Sequence, residues 1–174
     1  PWNPAQGSSG SSAGPASAVA AGCVGFGIGT ETLGSIVSPS RRCSITSLRP
    51  TYGRVSRAGV VPLSFSLDNV GPLTRTVEDN AIMLTAISGH DPRDPASARA
   101  EATDFTADLN KGVKGMKIGL VRHFYETDLK AQGEMAASID AAAETLRELG
   151  AIVEEVEMSP LSEYAAVNRV ILPV

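Results

Sequence analysis

The clearest pattern of apolar and polar positions lies in the second half of the chain. Lys117–Val121 and Ile152–Val156 are apolar runs of strand length, and Met135–Leu149 between them carries apolar residues at helical spacing. A strand, a helix and a strand in this order predict a parallel pair joined by a right-handed crossover. Ser162–Ile171 begins another helical pattern. This half of the chain therefore predicts an α/β fold.

The first half of the chain has weaker periodicity and many small residues. Ala16–Ala21 predicts a short helix that ends at Gly22, and Val24–Ile28, where apolar residues alternate with glycine, predicts a buried strand. Thr76 is the predicted N-cap of a longer helix that Gly89 ends. Three segments are predicted as loops: Trp2–Ser12, Thr30–Ser40 and His90–Asn110. Two more are predicted as short strands or extended segments between turns: Leu48–Thr51 and Gly59–Leu63.

Composition excludes several classes of protein. Hydrophobic residues make up 43% and charged residues 20% of the 174 positions, which is typical of a globular domain. The net charge of -4 and the absence of a basic stripe argue against a nucleic-acid-binding surface, and no apolar run is long enough to span a membrane. Cys23 and Cys43 make neither a disulfide framework nor a zinc set, so a cytoplasmic location is expected. The missing initial Met and the apolar end RVILPV predict a segment of a longer protein.

Two motifs match known chemistry poorly. Gly29–Ser35 has the two glycines of a phosphate-binding loop, but Ser35 stands where that loop has lysine, and no lysine precedes Lys111. Gly10–Gly14 matches the G-x-S-x-G nucleophile elbow with Ser12 at its centre. That elbow requires a buried strand directly before it, and the first seven residues have no strand pattern. Both matches are interpreted as accidents of a composition rich in glycine and serine.

A third feature is the pair of Ser/Gly-rich segments, Gly7–Ser17 and Gly29–Ser40. A predicted helix and strand join them, so the two loops could converge. A serine preceded by free backbone N–H groups would then be a nucleophile beside its own oxyanion site. Its base need not be histidine, since Ser-Lys arrangements exist. Composition alone favours the alternative that both segments are solvated loops.

The ordered blocks of the whole chain resemble the amidase signature family. The segment SSAGPASAVAAG is similar to its Ser-Ser-Gly-Gly-Ser segment and the Ala-rich helix that follows, and GFGIGTETLGSI is similar to its G-T-D-[TI]-G-G-S-I core. The blocks SLRPTYGRVSRAGVVPL, SLDNVGPLTRTVEDNA, KGMKIGLVRHFYE and TLRELGAIVEEVEM follow in the family's order. The resemblance implies that residues 1–174 are the central part of one amidase signature domain, truncated at both ends, with a mixed β-sheet flanked by helices.

The resemblance also implies roles for individual residues. The serine that ends the core motif is the family's nucleophile, and here it is Ser35. The bridging serine of the family, held by a cis peptide, falls on Ser11, which lies 24 positions earlier, whereas Ser8 would require a three-residue insertion. The side chains of Ser11 and Ser35 are expected within hydrogen-bond reach. The oxyanion hole is expected to use the backbone N–H groups before the nucleophile: Thr32, Leu33, Gly34 and Ser35 itself.

The implied base is a neutral lysine upstream of the Ser-Ser pair, so it is expected before Pro1 and is absent from this chain. The four lysines present, Lys111, Lys114, Lys117 and Lys130, occur in other blocks and are interpreted as surface residues. The sequence also departs from the family at four positions. Leu33 replaces a glycine, which narrows the oxyanion loop or demands a negative φ there, Glu31 replaces aspartate, Val37 replaces a frequent arginine and Ser47 replaces another glycine.

Other reactive residues have structural interpretations. The two cysteines are expected to be small buried residues. Asp68 is interpreted as stabilising a turn rather than as a catalytic acid, Arg54 and Arg57 as structural or ion-paired, and His123 as a surface loop residue.

The sequence thus predicts an amidohydrolase that cleaves a small-molecule carboxamide through a serine acyl-enzyme, with no metal or organic cofactor and no membrane partner. A homodimer is compatible with this prediction. One alternative is the A subunit of a tRNA-dependent amidotransferase, which alone would involve nucleic acid. Another is an inert fragment or scaffold, because the chain lacks a base.

Overall fold

The computed structural model describes residue 3, residues 5–100 and residues 103–172. The chain divides into two compact units, the first running to Leu109 and the second beginning at Asn110. The first contains α1 (Ala13–Ala20), β1 (Phe26–Glu31), α2 (Val37–Cys43), β2 (Thr46–Ser47), β3 (Asn69–Thr74) and α3 (Val77–Ile87). The second contains β4 (Lys117–Leu120), a π-helical turn (Phe124–Asp128), α4 (Gly133–Glu148), β5 (Ile152–Glu155) and α5 (Leu161–Ile171).

The sheet of the first unit is antiparallel, with strand order β1-β3-β2. Its central strand β3 is buried at every position although it contains Pro72. A proline in a central strand is unusual because it cannot donate to the ladder. Here β2 pairs with Leu73 and Thr74, and beyond them the Pro72 carbonyl accepts a hydrogen bond from the N–H of Leu48 at 3.3 Å, so only the donor that proline lacks is missing from the ladder. This proline explains why the sequence pattern did not predict β3.

The strand β1 presents its glycines, not its apolar side chains, to the interior. A Cβ atom added to Gly27 would lie 2.8 Å from Cβ of Pro15, and one added to Gly29 would lie 2.6 Å from Oγ of Ser12. Phe26 and Ile28 point the other way and are exposed. The prediction of a buried strand at Val24–Ile28 was therefore wrong in its burial and began two residues early. The glycines allow the N-terminal turn of α1 to approach the strand closely.

Two apolar clusters form the core of the first unit, and β3 contributes to both. Leu73 packs with Ala16, Ile36 and Cys43 on one side. Val70 packs with Val55 and Leu84 on the other. The strand therefore connects α1 and α2 to α3 through buried contacts, as expected of a central strand covered on both faces.

The predicted helix after Thr76 is confirmed as α3. The Thr76 hydroxyl accepts a hydrogen bond from the N–H of Asp79 at 3.1 Å, which satisfies one unpaired donor of the first turn. Buried Asn80 donates from this helix to the carbonyl of Pro72 and to the hydroxyl of Thr74. The helix is thus attached to β3 by polar as well as apolar contacts.

The second unit agrees most closely with its sequence pattern. The strands β4 and β5 are parallel, with Ile118 opposite Val153, and α4 lies between them in the chain. Each predicted element is confirmed with boundaries shifted by one or two residues. The π-helical turn was not predicted, because five residues are too short to show a helical period. Among the described residues, the second unit has three buried apolar side chains: Tyr125, Ala143 and Ala151.

Several predictions for the first unit need correction. The helix α1 begins at Ala13, three residues before the prediction. The predicted loop Thr30–Ser40 contains the end of β1 and most of α2, a seven-residue helix whose Ser, Pro and Arg residues give no apolar period. Of the two segments predicted as short strands or extended stretches, neither Leu48–Thr51 nor Gly59–Leu63 forms a strand, and the short strand β2 lies at Thr46–Ser47.

The α/β class is confirmed, with strands of both orientations flanked by helices. The antiparallel and parallel strands form two separate sheets within the described residues. None of the helices described is long and apolar enough to cross a bilayer. His90–Asn110 has no helix or strand in its described part. Three parts of these predictions lie outside the described residues: Trp2 and Pro4 of the predicted first loop, residues 101–102 of the loop His90–Asn110, and the terminal Pro173–Val174.

Candidate active site

Ser35 lies in the segment that joins β1 to α2, and we call Thr32–Ile36 the nucleophile loop. Gly34 has φ of 86°, a left-handed conformation that favours glycine, whereas Leu33 keeps a negative φ. The loop therefore accommodates leucine in place of the family's glycine without backbone strain at that residue. The Leu33 side chain is 60% exposed.

The backbone N–H groups of this loop have a specific property. Within the described residues, the N–H groups of Thr32, Leu33, Gly34 and Ser35 donate to no protein acceptor. Backbone donors that are not used internally are the groups from which oxyanion sites are built. All four N–H groups predicted for an oxyanion hole are thus free of an acceptor in the described part of the chain.

The segment before α1 lies against the nucleophile loop. The N–H of Ser12 donates to the carbonyl of Ser35 at 3.1 Å. The buried Ser12 hydroxyl donates to the carbonyl of Thr30 at 3.1 Å and accepts from its N–H at 3.2 Å. Ser9 and Ser38 hydroxyls share a further hydrogen bond of 2.8 Å. The two Ser/Gly-rich segments therefore converge, and the alternative of two separate solvated loops is wrong.

Ser11 is exposed beside these contacts, and the Gly10–Ser11 peptide is cis, as the resemblance implied. In the described part of the chain, no hydrogen bond joins the hydroxyls of Ser11 and Ser35, so the expected contact between these side chains is not observed. Ser12, the residue after Ser11, instead donates its backbone N–H to the carbonyl of Ser35. Ser12 is committed to two bonds with Thr30, which agrees with its rejection as an elbow nucleophile.

Glu31 holds the C-terminal end of the nucleophile loop. Its carboxylate is buried, and Oε2 accepts from the N–H of Ile36 at 2.7 Å and of Val37 at 2.9 Å. Its Oε1 lies 3.4 Å from Nε of Arg49. A buried carboxylate is tolerated when charged and neutral donors satisfy it, and these three donors do so. The sequence flagged Glu31 only as a departure from aspartate and did not predict this role.

Asp68 holds the N-terminal end of the same loop. Its Oδ1 accepts a hydrogen bond from the Thr32 hydroxyl at 2.5 Å, and its Oδ2 accepts from the N–H groups of Leu63 and Ser64. Burial alone would raise the pKa of Asp68, but these hydrogen bonds and the charge of Arg57 together lower it. Because its Oδ2 binds two consecutive N–H groups of the preceding turn, the interpretation of Asp68 as a turn-stabilising residue is confirmed.

Arg57 is a structural residue, as predicted. Its guanidinium lies 4.4 Å from the ring centroid of Tyr52 and 5.4 Å from that of Phe65, and donates to the hydroxyl of Tyr52 and the carbonyl of Phe65. Its backbone N–H donates to Asp94. A cavity of about 200 Å³ lies here, and neither Ser11 nor Ser35 lines it. Arg54 stacks over Phe105, which agrees with its predicted structural role.

The remaining candidate residues are two cysteines, one histidine and four lysines. Cys43 is buried as predicted, but Cys23 is exposed, because it follows the end of α1 at the surface. His123 was predicted as a surface loop residue, but it is half-buried and lies in a helical turn. Its Nε2 accepts a hydrogen bond from the N–H of Met158, and its Nδ1 lies 3.4 Å from Oδ2 of Asp128. The four lysines are exposed. The described residues contain no group of three or more side chains suited to a metal ion.

Comparison with known proteins identifies the family. A family model described as Amidase matches residues 1–174, and the chain belongs to the amidase signature family. It is 51% identical over 155 residues to the A subunit of glutamyl-tRNA(Gln) amidotransferase from Staphylococcus saprophyticus subsp. saprophyticus, a match that covers 89% of this chain and 31% of that protein. The resemblance inferred from the sequence motifs is therefore confirmed.

Solved structures agree in fold. The A subunit of glutamyl-tRNA(Gln) amidotransferase from Thermotoga maritima matches with a TM-score of 0.88 at 38% identity, over 95% of this chain and 36% of that one. Native peptide amidase from Stenotrophomonas maltophilia matches with a TM-score of 0.84 at 40% identity, over 95% and 34%. The chain thus spans about a third of the length of these relatives.

Proposed function

We propose that the protein is an amidohydrolase in which Ser35 attacks a carboxamide carbonyl. The observation that carries this proposal is the nucleophile loop itself, in which the N–H groups of Leu33, Gly34 and Ser35 have no acceptor among the described residues. Such donors would stabilise the negative charge that develops on the carbonyl oxygen. Membership of the amidase family and the likeness to peptide amidase support the same reaction.

The proposed reaction has two stages. Ser11 accepts the proton of the Ser35 hydroxyl and passes its own to a neutral lysine, while the Ser35 oxygen forms a bond to the carbonyl carbon. The carbon–nitrogen bond then breaks, and the proton returns through Ser11 to the leaving amine or ammonia. Water attacks the resulting ester in the same way, which releases the carboxylic acid and restores Ser35. No metal or organic cofactor takes part.

The base in this proposal comes from outside the 174 residues. No lysine precedes Lys111 in the sequence, and the family resemblance supplies the lysine from a segment before the Ser-Ser pair. We also propose that residues 1–174 form the central part of one catalytic domain. Its setting would be a reducing, cytoplasmic one, which the two unpaired cysteines support.

Covalent labelling tests the nucleophile. A fluorophosphonate or sulfonyl fluoride should react with Ser35 in the protein that carries this chain, and mass spectrometry of the labelled peptide identifies the site. S35A should abolish labelling, whereas S66A, which alters an exposed serine, should retain it. A folded protein that takes up label at another residue, or at none, would refute the assignment of Ser35.

A second candidate function is that of an amidotransferase A subunit, which would use glutamine as the amide and transfer ammonia to a partner. The 51% identity to such a protein favours it. Other subunits and tRNA would then be partners. Steady-state hydrolysis of glutamine compared with simple aliphatic and aryl amides separates the two functions. Preference for glutamine by at least about tenfold in kcat/KM supports the second candidate, since discrimination is the ratio of these values.

A further inference from the structure

We infer that Asp68 and Glu31 are positioning residues that hold the two ends of the nucleophile loop, and that the Thr32–Asp68 hydrogen bond aligns the oxyanion N–H groups. This inference rests on the proposed function of Ser35. It concerns residues that do not themselves touch the reacting atoms.

The first anchor joins the loop to a separate part of the chain. Asp68 directly precedes β3, and its carboxylate is fixed by the N–H groups of Leu63 and Ser64 before it accepts the Thr32 hydroxyl. Thr32 is itself buried. Because one Asp68 oxygen serves the turn and the other serves Thr32, the turn cannot move without moving the start of the loop.

The second anchor acts on the opposite end. The Glu31 side chain reaches past the loop and accepts the N–H groups of Ile36 and Val37 with a single oxygen. Both carboxylates are less than a tenth exposed, so water competes little for these hydrogen bonds. Between the anchors lie Leu33, Gly34 and Ser35, whose N–H groups have no internal acceptor among the described residues.

This arrangement explains how free donors stay oriented. An N–H group without an internal partner is not held by its own hydrogen bond, so its direction must be set by its neighbours. Oxyanion donors contribute most when they need no reorganisation during the reaction. Thr32 is committed as a donor to Asp68, so its hydroxyl is not available to the substrate. Its contribution is to orientation and therefore to the rate of the chemical step.

A pair of substitutions at Thr32 tests the inference. T32V keeps the shape of the side chain but removes the hydroxyl, whereas T32S keeps the hydroxyl. We expect T32V to lower kcat by about 10- to 100-fold with KM changed less than about threefold, because removing an oxyanion donor outright costs about 100-fold or more. T32S should remain within about fivefold of the wild type. The matched control is T106V, which removes an exposed Thr–Asp hydrogen bond between Thr106 and Asp104.

Inhibition by an alkyl boronic acid provides a readout that a merely structural role would not change. The boronate forms a tetrahedral adduct on a serine and mimics the transition state, so its Ki should rise in T32V by the same factor by which kcat/KM falls. The dissociation constant of an unreactive substrate analogue, in which the amide is replaced by an isostere without a carbonyl group, should stay within about threefold of the wild-type value. D68N should change the same quantities in the same direction, because it removes the charge that accepts the Thr32 hydroxyl.

The outcomes distinguish this inference from the proposed function. Loss of labelling at Ser35 in the wild type would refute the proposed function. Labelling at Ser35 together with wild-type kcat in folded T32V and D68N would overturn only the inference, as would a loss confined to KM. Should T32V lose cooperative unfolding, D68N and T32S decide the question: a normal kcat in D68N, or a large loss in T32S, overturns it.

Discussion

The two units of the chain use polar residues in opposite ways. In the first unit, carboxylates and amides such as Glu31, Asp68 and Asn80 are buried and bind backbone groups. In the second, Arg122 binds three partly exposed carboxylates at the surface, those of Glu155, Glu126 and Asp140. Buried polar groups must be hydrogen-bonded, so they fix the conformation of the chain around them. Surface ion pairs add little to stability. The unit with the less regular sequence pattern therefore contains the more constrained loops.

The largest expected effect tests whether the catalytic groups are confined to the first unit and to a base outside the 174 residues. S11A should lower kcat for amide hydrolysis by at least about 100-fold, because proton transfer by a positioned group contributes about 10²–10⁴-fold. Each of the four lysine-to-alanine variants in the second unit should keep near-normal kcat, since these lysines are exposed. A large decrease in kcat in any one of these lysine variants would show that the base lies in the second unit, and the contrast between the two units would then be wrong.

Glycine-to-alanine substitutions compare the packing of the two units. A Cβ at Gly71 in β3 would contact the carbonyl of Leu48, which is backbone and cannot move aside, so G71A should destabilise the protein by about 3 kcal/mol. In the second unit, the three atoms nearest to a Cβ at Gly119 all belong to the side chain of Val156, which can shift, so G119A should cost about 1 kcal/mol.

Urea unfolding measures both costs. The control is G25A, where a Cβ has no neighbour within 4 Å, and its effect should stay within about 0.5 kcal/mol. Equal losses for G71A and G119A would show that the two units are packed equally tightly.

The buried carboxylate Asp68 predicts a pH dependence. Its pKa lies below its ordinary value of 3.8, so the folded state favours the ionised form, and the resulting stability is present above that value and lost as pH falls through the lowered pKa. The difference in unfolding free energy between the wild type and D68N should thus be constant from about pH 7 to pH 5 and shrink below about pH 4. A difference that grows as the pH falls would mean that Asp68 is protonated in the folded protein.

The smallest expected effect concerns the surface charges of the second unit. Hydrogen bonds from Arg122 to Glu155, then Glu126 and Asp140, raise the pKa of this guanidinium, which therefore stays charged. R122Q should lower Tm by only a few degrees, and the difference should disappear in about 1 M salt, where the screening length is about 3 Å. R147Q, which breaks the exposed pair with Glu144, serves as the control. A large decrease in Tm that does not depend on salt would show that Arg122 stabilises the fold as strongly as the buried polar groups of the first unit do.

Sequence patterns predicted the second unit well because its elements are long or lie in a simple order. The helix α4 has sixteen residues, enough for four turns of periodic signal, and β4 and β5 flank it. In the first unit the signal failed for physical reasons. Pro72 interrupted the pattern of the central strand β3, so this strand was not predicted. In β1 the glycines face the interior, so the buried face of β1 is opposite to the one predicted.

The candidate site was predicted in part. Serines in the order and spacing of a known family pointed to Ser35 and Ser11, and the structure brings the two segments together through Ser12. The roles of Glu31 and Asp68 could not be read from the sequence, because each depends on a partner brought near by the fold. Asp68 binds Thr32 from 36 positions away, and no local pattern encodes such a distance.

The contact between Ser12 and Thr30 limits which positions of the proposed active site can be varied in engineered libraries. One hydroxyl binds both the N–H and the carbonyl of a single peptide residue, and that residue is five positions before Ser35. The separation of the two serine segments is therefore set by a short covalent path rather than by the packing of large bodies. Random libraries should keep Ser12, Thr30 and the glycines of β1 fixed. Leu33 and Val37, whose side chains are exposed on either side of Ser35, are the positions at which diversity can be introduced without disturbing this spacing.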